Sequence, residues 1–228
     1  MKACLVQAFV LKPCIASVVQ GFLLKRLIKV QIMTITQSPD LVASMLSRRS
    51  NKLVQTPGPS SEQLNQILQT AVCAPDHAAM RAWRFALIEQ SEIAAFTDLA
   101  ISATRRWGRE ITPQKEQNTR NWMSKVPLLI GLAYKISHDN SKVPEIEQTL
   151  SMGAAVMNIQ NAAHALGFAS YWSTGLGSYT EEVPEALGFD GLDYRFVGFL
   201  AVGTPINQLA AAQRPDAMSF THVWKAGA

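Results

Sequence analysis

A chain of 228 residues that is 48% apolar and only 17% charged can bury one large core, which excludes a disordered or tail-like protein. Its net charge of +4 invites a nucleic-acid or anionic-surface reading, but Lys2, Lys12, Lys25, Arg26 and Lys29 all precede Met33 with no acid among them. These five charges exceed the net +4, so residues 33–228 stand at −1 and a nucleic-acid partner is not expected of them.

Residues 1–32 form a basic, apolar leader. An h-region-like run from Cys14 to Leu24 suggests a secretory signal, but Lys12-Pro13 and Lys25-Arg26 flank it and no small-x-small cleavage site follows. A basic amphipathic helix on a membrane surface is a second reading. The favoured third takes Met33 as the true start and the leader as a translated upstream segment. No stretch is long and apolar enough for stable membrane insertion. Three cysteines, Cys4, Cys14 and Cys73, fit a reducing, cytoplasmic setting better than a disulfide framework. The expected organisation is a leader over 1–32 and one domain over 33–228.

Ser38-Pro39 reads as a helix start, with Leu41, Val42, Met45 and Leu46 at helical spacing and Arg48-Arg49-Ser50 at the far end. Ser60 and Gln63 form a capping-box pattern ahead of Leu64, Ile67, Leu68, Ala71 and Val72, a helix that should end at Ala74-Pro75. Phe85–Ile88 is predicted as a strand, Ser91–Trp107 as a helix, and Val126–Tyr134 as a strand apolar throughout, hence interior to a sheet.

Glu145–Leu166 is predicted as one long helix with apolar residues on more than one face, to be buried nearly all round. Its small residues, Gly153 included, suit close approach of another helix. A dimer centre and the central helix of a monomer core fit that pattern equally. Ala169–Ser173 and Arg195–Val202 complete the strands. Helices and strands intermix without a βαβ repeat, which makes the fold class α+β.

His77, His138, His164 and His222 are too scattered for a metal site, so none is expected. Gly175-Leu176-Gly177 lacks the third glycine of a dinucleotide fingerprint, and no nucleophile motif is present. Arg48-Arg49-Ser50, with Lys52 close behind, offers guanidinium forks and a hydroxyl suited to a phosphate monoester. A solvated turn would explain such a cluster equally well when taken alone.

Taken with Ala74-Pro75-Asp76-His77, Trp83, Lys142-Val143-Pro144, Ala162-Ala163, Gly167-Phe168, Trp172-Ser173-Thr174-Gly175 and Val197-Gly198-Phe199-Leu200 through Gly203-Thr204-Pro205, the cluster resembles the nitroreductase family from about Leu41 to Pro205. The closest likeness is to a compact bacterial NAD(P)H nitroreductase subgroup. The resemblance implies a central mixed or antiparallel sheet flanked by helices, in a domain completed by dimerisation. It also implies an FMN-dependent NAD(P)H oxidoreductase that is a homodimer and reduces small-molecule acceptors, nitroaromatic or quinone, by ping-pong hydride transfer.

Carried over by resemblance, Arg48, Arg49 and Ser50 would hold the FMN phosphate and ribityl end. Cys73 and His77 would reach the flavin from the partner subunit, and Ser173, Thr174 and Gly175 would lie along the ring or ribityl chain. Ala163, His164, Ala165, Leu166, Gly167 and Phe168 match a segment assigned to NAD(P)H. No catalytic side chain is expected, since the flavin carries the chemistry. Lys52 stands where relatives carry arginine, Cys73 where the subgroup has a basic residue, and Ser173 where it has arginine. A non-catalytic FMN-binding or sensing protein is the alternative.

Overall fold

Alternation along two long strands, shifted once in β5 next to Gly198, sets the architecture. In this computed structural model, residues 41–226 are described apart from 141, 176 and 211; the leader and the Ser38-Pro39 helix start lie outside the described residues. The elements are α1 Leu41–Ser47, β1 Val54–Gln55, α2 Ser61–Ala71, β2 Trp83–Glu89, α3 Ile93–Arg106, α4 Pro113–Met123, β3 Leu128–Lys135, α5 Glu145–Ala165, β4 Ala169–Ser173, α6 Glu182–Ala186 and β5 Tyr194–Pro205.

β3 lies between β2 and β5, and all its ladder pairs are antiparallel, from Trp83↔Tyr134 on one side to Leu128↔Val202 on the other. β5 also pairs with β4 along Phe199–Gly203 and with the short β1 at Thr204–Pro205. Successive side chains of a strand point to opposite faces. Leu128, Ile130, Leu132, Leu200 and Val202 therefore meet α2 and α5, in a cluster with Ile67, Met152, Val156 and Ile159. Leu129, Phe199 and Ala201 meet α3 and Met123 on the opposite face. A side chain fully buried in either layer is worth roughly 1.5–3 kcal/mol over exposure.

The capping box forms as the sequence predicts, with Ser60 Oγ accepting from Gln63 N and Gln63 Oε1 accepting from Ser60 N. α2 nevertheless stops at Ala71, three residues short of Ala74-Pro75, because Val72 already leaves helical geometry as its cap. α4 was not expected from the sequence. It carries almost no apolar periodicity and buries only Met123, but Thr112 caps it and Pro113 occupies its first turn.

α5 corrects one expectation. It buries Met152, Ala155, Val156, Ile159 and Ala163 on a single face, whereas Ile146, Leu150 and Met157 are 61%, 66% and 42% exposed. Gly153 lies on the same open stripe, with nothing within 4 Å of where a Cβ would stand. The helix is half-buried by its own chain. Among the described residues no helix is long and apolar enough to cross a membrane.

Candidate active site

α1 ends at Ser47, so Arg48, Arg49 and Ser50 lie in the segment beyond it and not within the helix. That segment is pinned beside β4: Ser50 bridges Ser170, and Asn51 N donates to Ser170 O at 3.0 Å. Arg48 is half-buried, and its Nη1 is fully buried without a hydrogen-bond partner, alone in this among the described side chains. Burial first, and the nearby charge of Arg214 second, lower its pKa. Arg214 is anchored there by donating to Arg48 O at 3.0 Å.

Two further residues bind the same corner together. Arg49 donates from Nη1 to Ala210 O, and Asn51 donates from Nδ2 to Asn207 O at 3.1 Å, so the tail after β5 is fastened across the segment. His164 in the last turn of α5 hydrogen-bonds Ser47 Oγ at 3.1 Å. Its pKa is lowered, by burial first and by the Arg48 charge second. Arg48, Arg214 and His164 thus converge with a buried donor left over, an arrangement suited to an anion with several acceptor oxygens. Sequence reasoning missed Arg214, which sits in no motif and is brought in only by the tail.

Ser173 ends the same strand, and Thr174 and Gly175 follow in the turn beyond it. Three residues separate Ser170 from Ser173, about 10 Å of extended chain. Ser173 Oγ accepts from Gly175 N at 3.1 Å, turning the chain sharply. The close approach depends on Gly198, whose φ is +110° and where a Cβ would lie 2.5 Å from Ser173 O. Trp172 braces the same corner by donating from Nε1 to Val197 O at 2.9 Å.

His77 and Cys73 lie elsewhere. His77 hydrogen-bonds the Glu147 carboxylate through Nδ1, in the first turn of α5, and does not cap α2. From 147 to 164 is 17 helical steps, about 26 Å, so no side chain spans from His77 to the Arg48 corner of the same chain. Cys73 is an exposed thiol that donates to Gln69 O. The loop beside them is strained: Ala78, Ala79 and Arg81 have φ of 57°, 52° and 50°, each in the left-handed region that non-glycine residues avoid. It is held by Asp76 Oδ2 accepting from Arg81 N and by Ser151 Oγ, which donates to Pro75 O and accepts from Trp83 Nε1.

The Ala163–Phe168 segment is a helix end. Gly167, at φ +87°, closes it by donating to His164 O, and Phe168 N donates to Ala163 O. Ala163 and Phe168 are buried in the core, so Ala165, Leu166 and Gly167 are the exposed part of the segment. Lys52 is exposed, and its carbonyl accepts from Trp122 Nε1 at 2.8 Å. Among the described residues no group of three or more His, Cys, Asp or Glu could hold a metal.

Fold and corner together define an α+β domain with a cationic corner at the edge of an antiparallel sheet. The model of the nitroreductase family matches residues 45–204, and the chain belongs to that family. It is 36% identical over 184 residues to "Putative NAD(P)H nitroreductase YdjA" of Escherichia coli K12, covering 79% of this chain and 97% of that protein. Among solved structures, the nitroreductase-like family protein of Bacillus cereus superposes with a TM-score of 0.70 at 17% identity, covering 84% of this chain and 99% of that one. A nitroreductase-type protein of Desulfovibrio desulfuricans, solved in complex with FMN, superposes at 0.63 with 21% identity, covering 82% and 98%.

Proposed function

We propose that this chain is an FMN-dependent NAD(P)H oxidoreductase that works as a homodimer and passes reducing equivalents to nitroaromatic or quinone acceptors. The observation that carries the reading is the buried, unpartnered Nη1 of Arg48 at the centre of the cationic corner. A buried polar group without a partner costs about 1–3 kcal/mol, more when it is charged, and a phosphate oxygen would remove that cost. The relative named NAD(P)H nitroreductase and the neighbour solved with FMN supply the chemical identity of the ligand.

Arg48, Arg214 and Ser50 would hold the phosphate, while Arg49 fixes the tail that delivers Arg214. Ser173, Thr174 and Gly175 would border the ring or ribityl chain, about 10 Å along β4 from Ser50. His77 and Cys73, at the far end of α5, would serve the site of a second copy. The open stripe Ile146, Leu150, Gly153 and Met157 supports this arrangement, because a helix of the partner can lie closely against it. The exposed part of the 163–168 segment, Ala165–Gly167, would meet NAD(P)H through backbone.

FMN, when bound, would supply the two-electron redox chemistry that links NAD(P)H to the acceptor in a ping-pong cycle. The balanced reaction for a nitroaromatic is NAD(P)H + H⁺ + Ar–NO₂ → NAD(P)⁺ + Ar–NO + H₂O. The chain's residues bind and orient. The cleft beside Thr174 and Gly175 is lined by no Asp, Glu or His among the described residues, so Lys115, Tyr179 and solvent would be the proton sources there.

The test is the visible spectrum of the purified protein, with its bleaching by NADH or NADPH and recovery on adding an acceptor. Absence of flavin after FMN is supplied would sink the reading. A yellow protein that no nicotinamide bleaches would instead identify a non-catalytic flavin binder.

A further inference from the structure

A cleft of about 170 Å³ opens between the end of α3, the start of α4 and the turn that follows β4. Thr174 and Gly175 form part of its wall, so it adjoins the segment proposed above to border the flavin. Trp107 and Tyr179, 56% and 62% exposed, are its aromatic lining, and Arg109 and Lys115 are its charges. We propose that this cleft is the acceptor subsite, and that it selects aromatic acceptors bearing an anionic group, such as a carboxylate, which Arg109 and Lys115 would hold while the ring rests against Trp107 and Tyr179. This rests on the flavin reading and names the substrate class for it.

Charge pairing around the cleft is what singles these residues out. Arg105 is paired with Glu116, Arg106 with Glu182, and Arg120 with both Asp98 and Glu116. Among the described residues no ion pair involves Arg109 or Lys115, although Glu110 is adjacent in sequence. Every neighbouring arginine is neutralised within the chain, and the two cations that face the cleft are not. Among the described residues no carboxylate lines the cleft to oppose an anion there.

Local folding places both charges. Gly108, at φ +86°, ends α3 by donating to Arg105 O, and Arg109 N then donates back to Thr104 O, which folds Arg109 across the helix end. Thr112 accepts from Lys115 N as the cap of α4, fixing Lys115 in its first turn. Four of the hydroxyls around them are already committed: Thr104, Ser178, Thr180 and Thr119 each donate to a backbone carbonyl. The Thr174 and Tyr179 hydroxyls also line the cleft and can add neutral donors, but the positive charge that recognises a negative group comes from Arg109 and Lys115, while an electron-poor ring suits the exposed indole and phenol.

The experiment uses the purified, FMN-supplied full chain with two probes of similar size, 4-nitrobenzoate and neutral 4-nitrobenzyl alcohol. Binding to the oxidised protein is read from quenching of tryptophan fluorescence without any nicotinamide, and KM is measured separately. The expected result is affinity about tenfold higher for 4-nitrobenzoate at low salt, the scale of two partly exposed charge contacts. The preference should shrink toward unity near 1 M salt, where the screening length falls to about 3 Å. Arg109→Ala with Lys115→Ala, and separately Lys115→Glu, should abolish it while leaving 4-nitrobenzyl alcohol binding within about twofold. Trp107→Leu should remove most of the quenching.

Equal affinity for the two probes, or a preference that survives both variants, would overturn the subsite. Failure to retain FMN would overturn the flavin reading instead, and the two are separable because the quenching titration also runs on flavin-free protein.

Discussion

Replacing Arg48 with alanine should act in opposite senses on the flavin-free protein and on flavin binding. Its Nη1 is buried with no partner, and Arg214 adds like-charge repulsion. Truncation removes an unpaired donor that costs about 1–3 kcal/mol, against roughly 1 kcal/mol lost from packing of the alkyl stem. The flavin-free fold should therefore be unchanged or stabilised by about 1 kcal/mol in urea unfolding. FMN binding should suffer heavily. Two charge-assisted hydrogen bonds at roughly 1.5–2 kcal/mol each give a dissociation constant about 100- to 1000-fold weaker by equilibrium dialysis. Arg214→Ala, at a more exposed position, should weaken it about tenfold, and Arg105→Ala, whose partner is Glu116, should leave it unchanged. Arg48→Ala protein that binds FMN within about threefold of the parent would refute the phosphate assignment. A loss of more than about 3 kcal/mol in the flavin-free protein would show that Arg48 is there for the fold.

If each site draws on both chains, co-expressing an Arg48→Ala chain with a His77→Ala chain should restore about a quarter of parental activity, since half the dimers are mixed and carry one intact site; no restoration would place both residues in one subunit's site. Gly198→Ala should cost about 2–4 kcal/mol in chemical denaturation, through its φ of +110° and a Cβ 2.5 Å from Ser173 O, and a neutral effect would refute the close approach. His164 has a folded pKa below its ordinary value of about 6.5. The unfolded chain then binds the extra proton as pH falls through about 6.5, so stability should decline below that pH and stay flat above it. His164→Asn should reduce the decline, and an identical pH profile for variant and parent would count against burial beside Arg48.

What the sequence made legible was periodicity and short-range chemistry. β3 announced itself as an interior strand because it is sandwiched between β2 and β5 with apolar residues on both faces, and the Ser60–Gln63 box is a contact between near neighbours. α4 was invisible for the complementary reason, its stability coming from a cap, ion pairs and a single buried methionine. The open stripe of α5 could not be told from core by composition, because Ile146, Leu150 and Met157 are apolar side chains of the same kind as Met152, Val156 and Ile159, which the opposite face buries. The candidate site was half legible on the same principle. Arg48-Arg49-Ser50 and Ser173-Thr174-Gly175 are local motifs, but the charge of the proposed phosphate corner also needs Arg214, 166 residues from Arg48, delivered by the Arg49 and Asn51 contacts to the tail. His77 carries this furthest. It belongs to the same resemblance as Arg48, yet α5 holds the two about 26 Å apart. Under the homodimer proposed above, these motifs would form one site only if a second copy brought its His77 end of α5 to the Arg48 corner of the first.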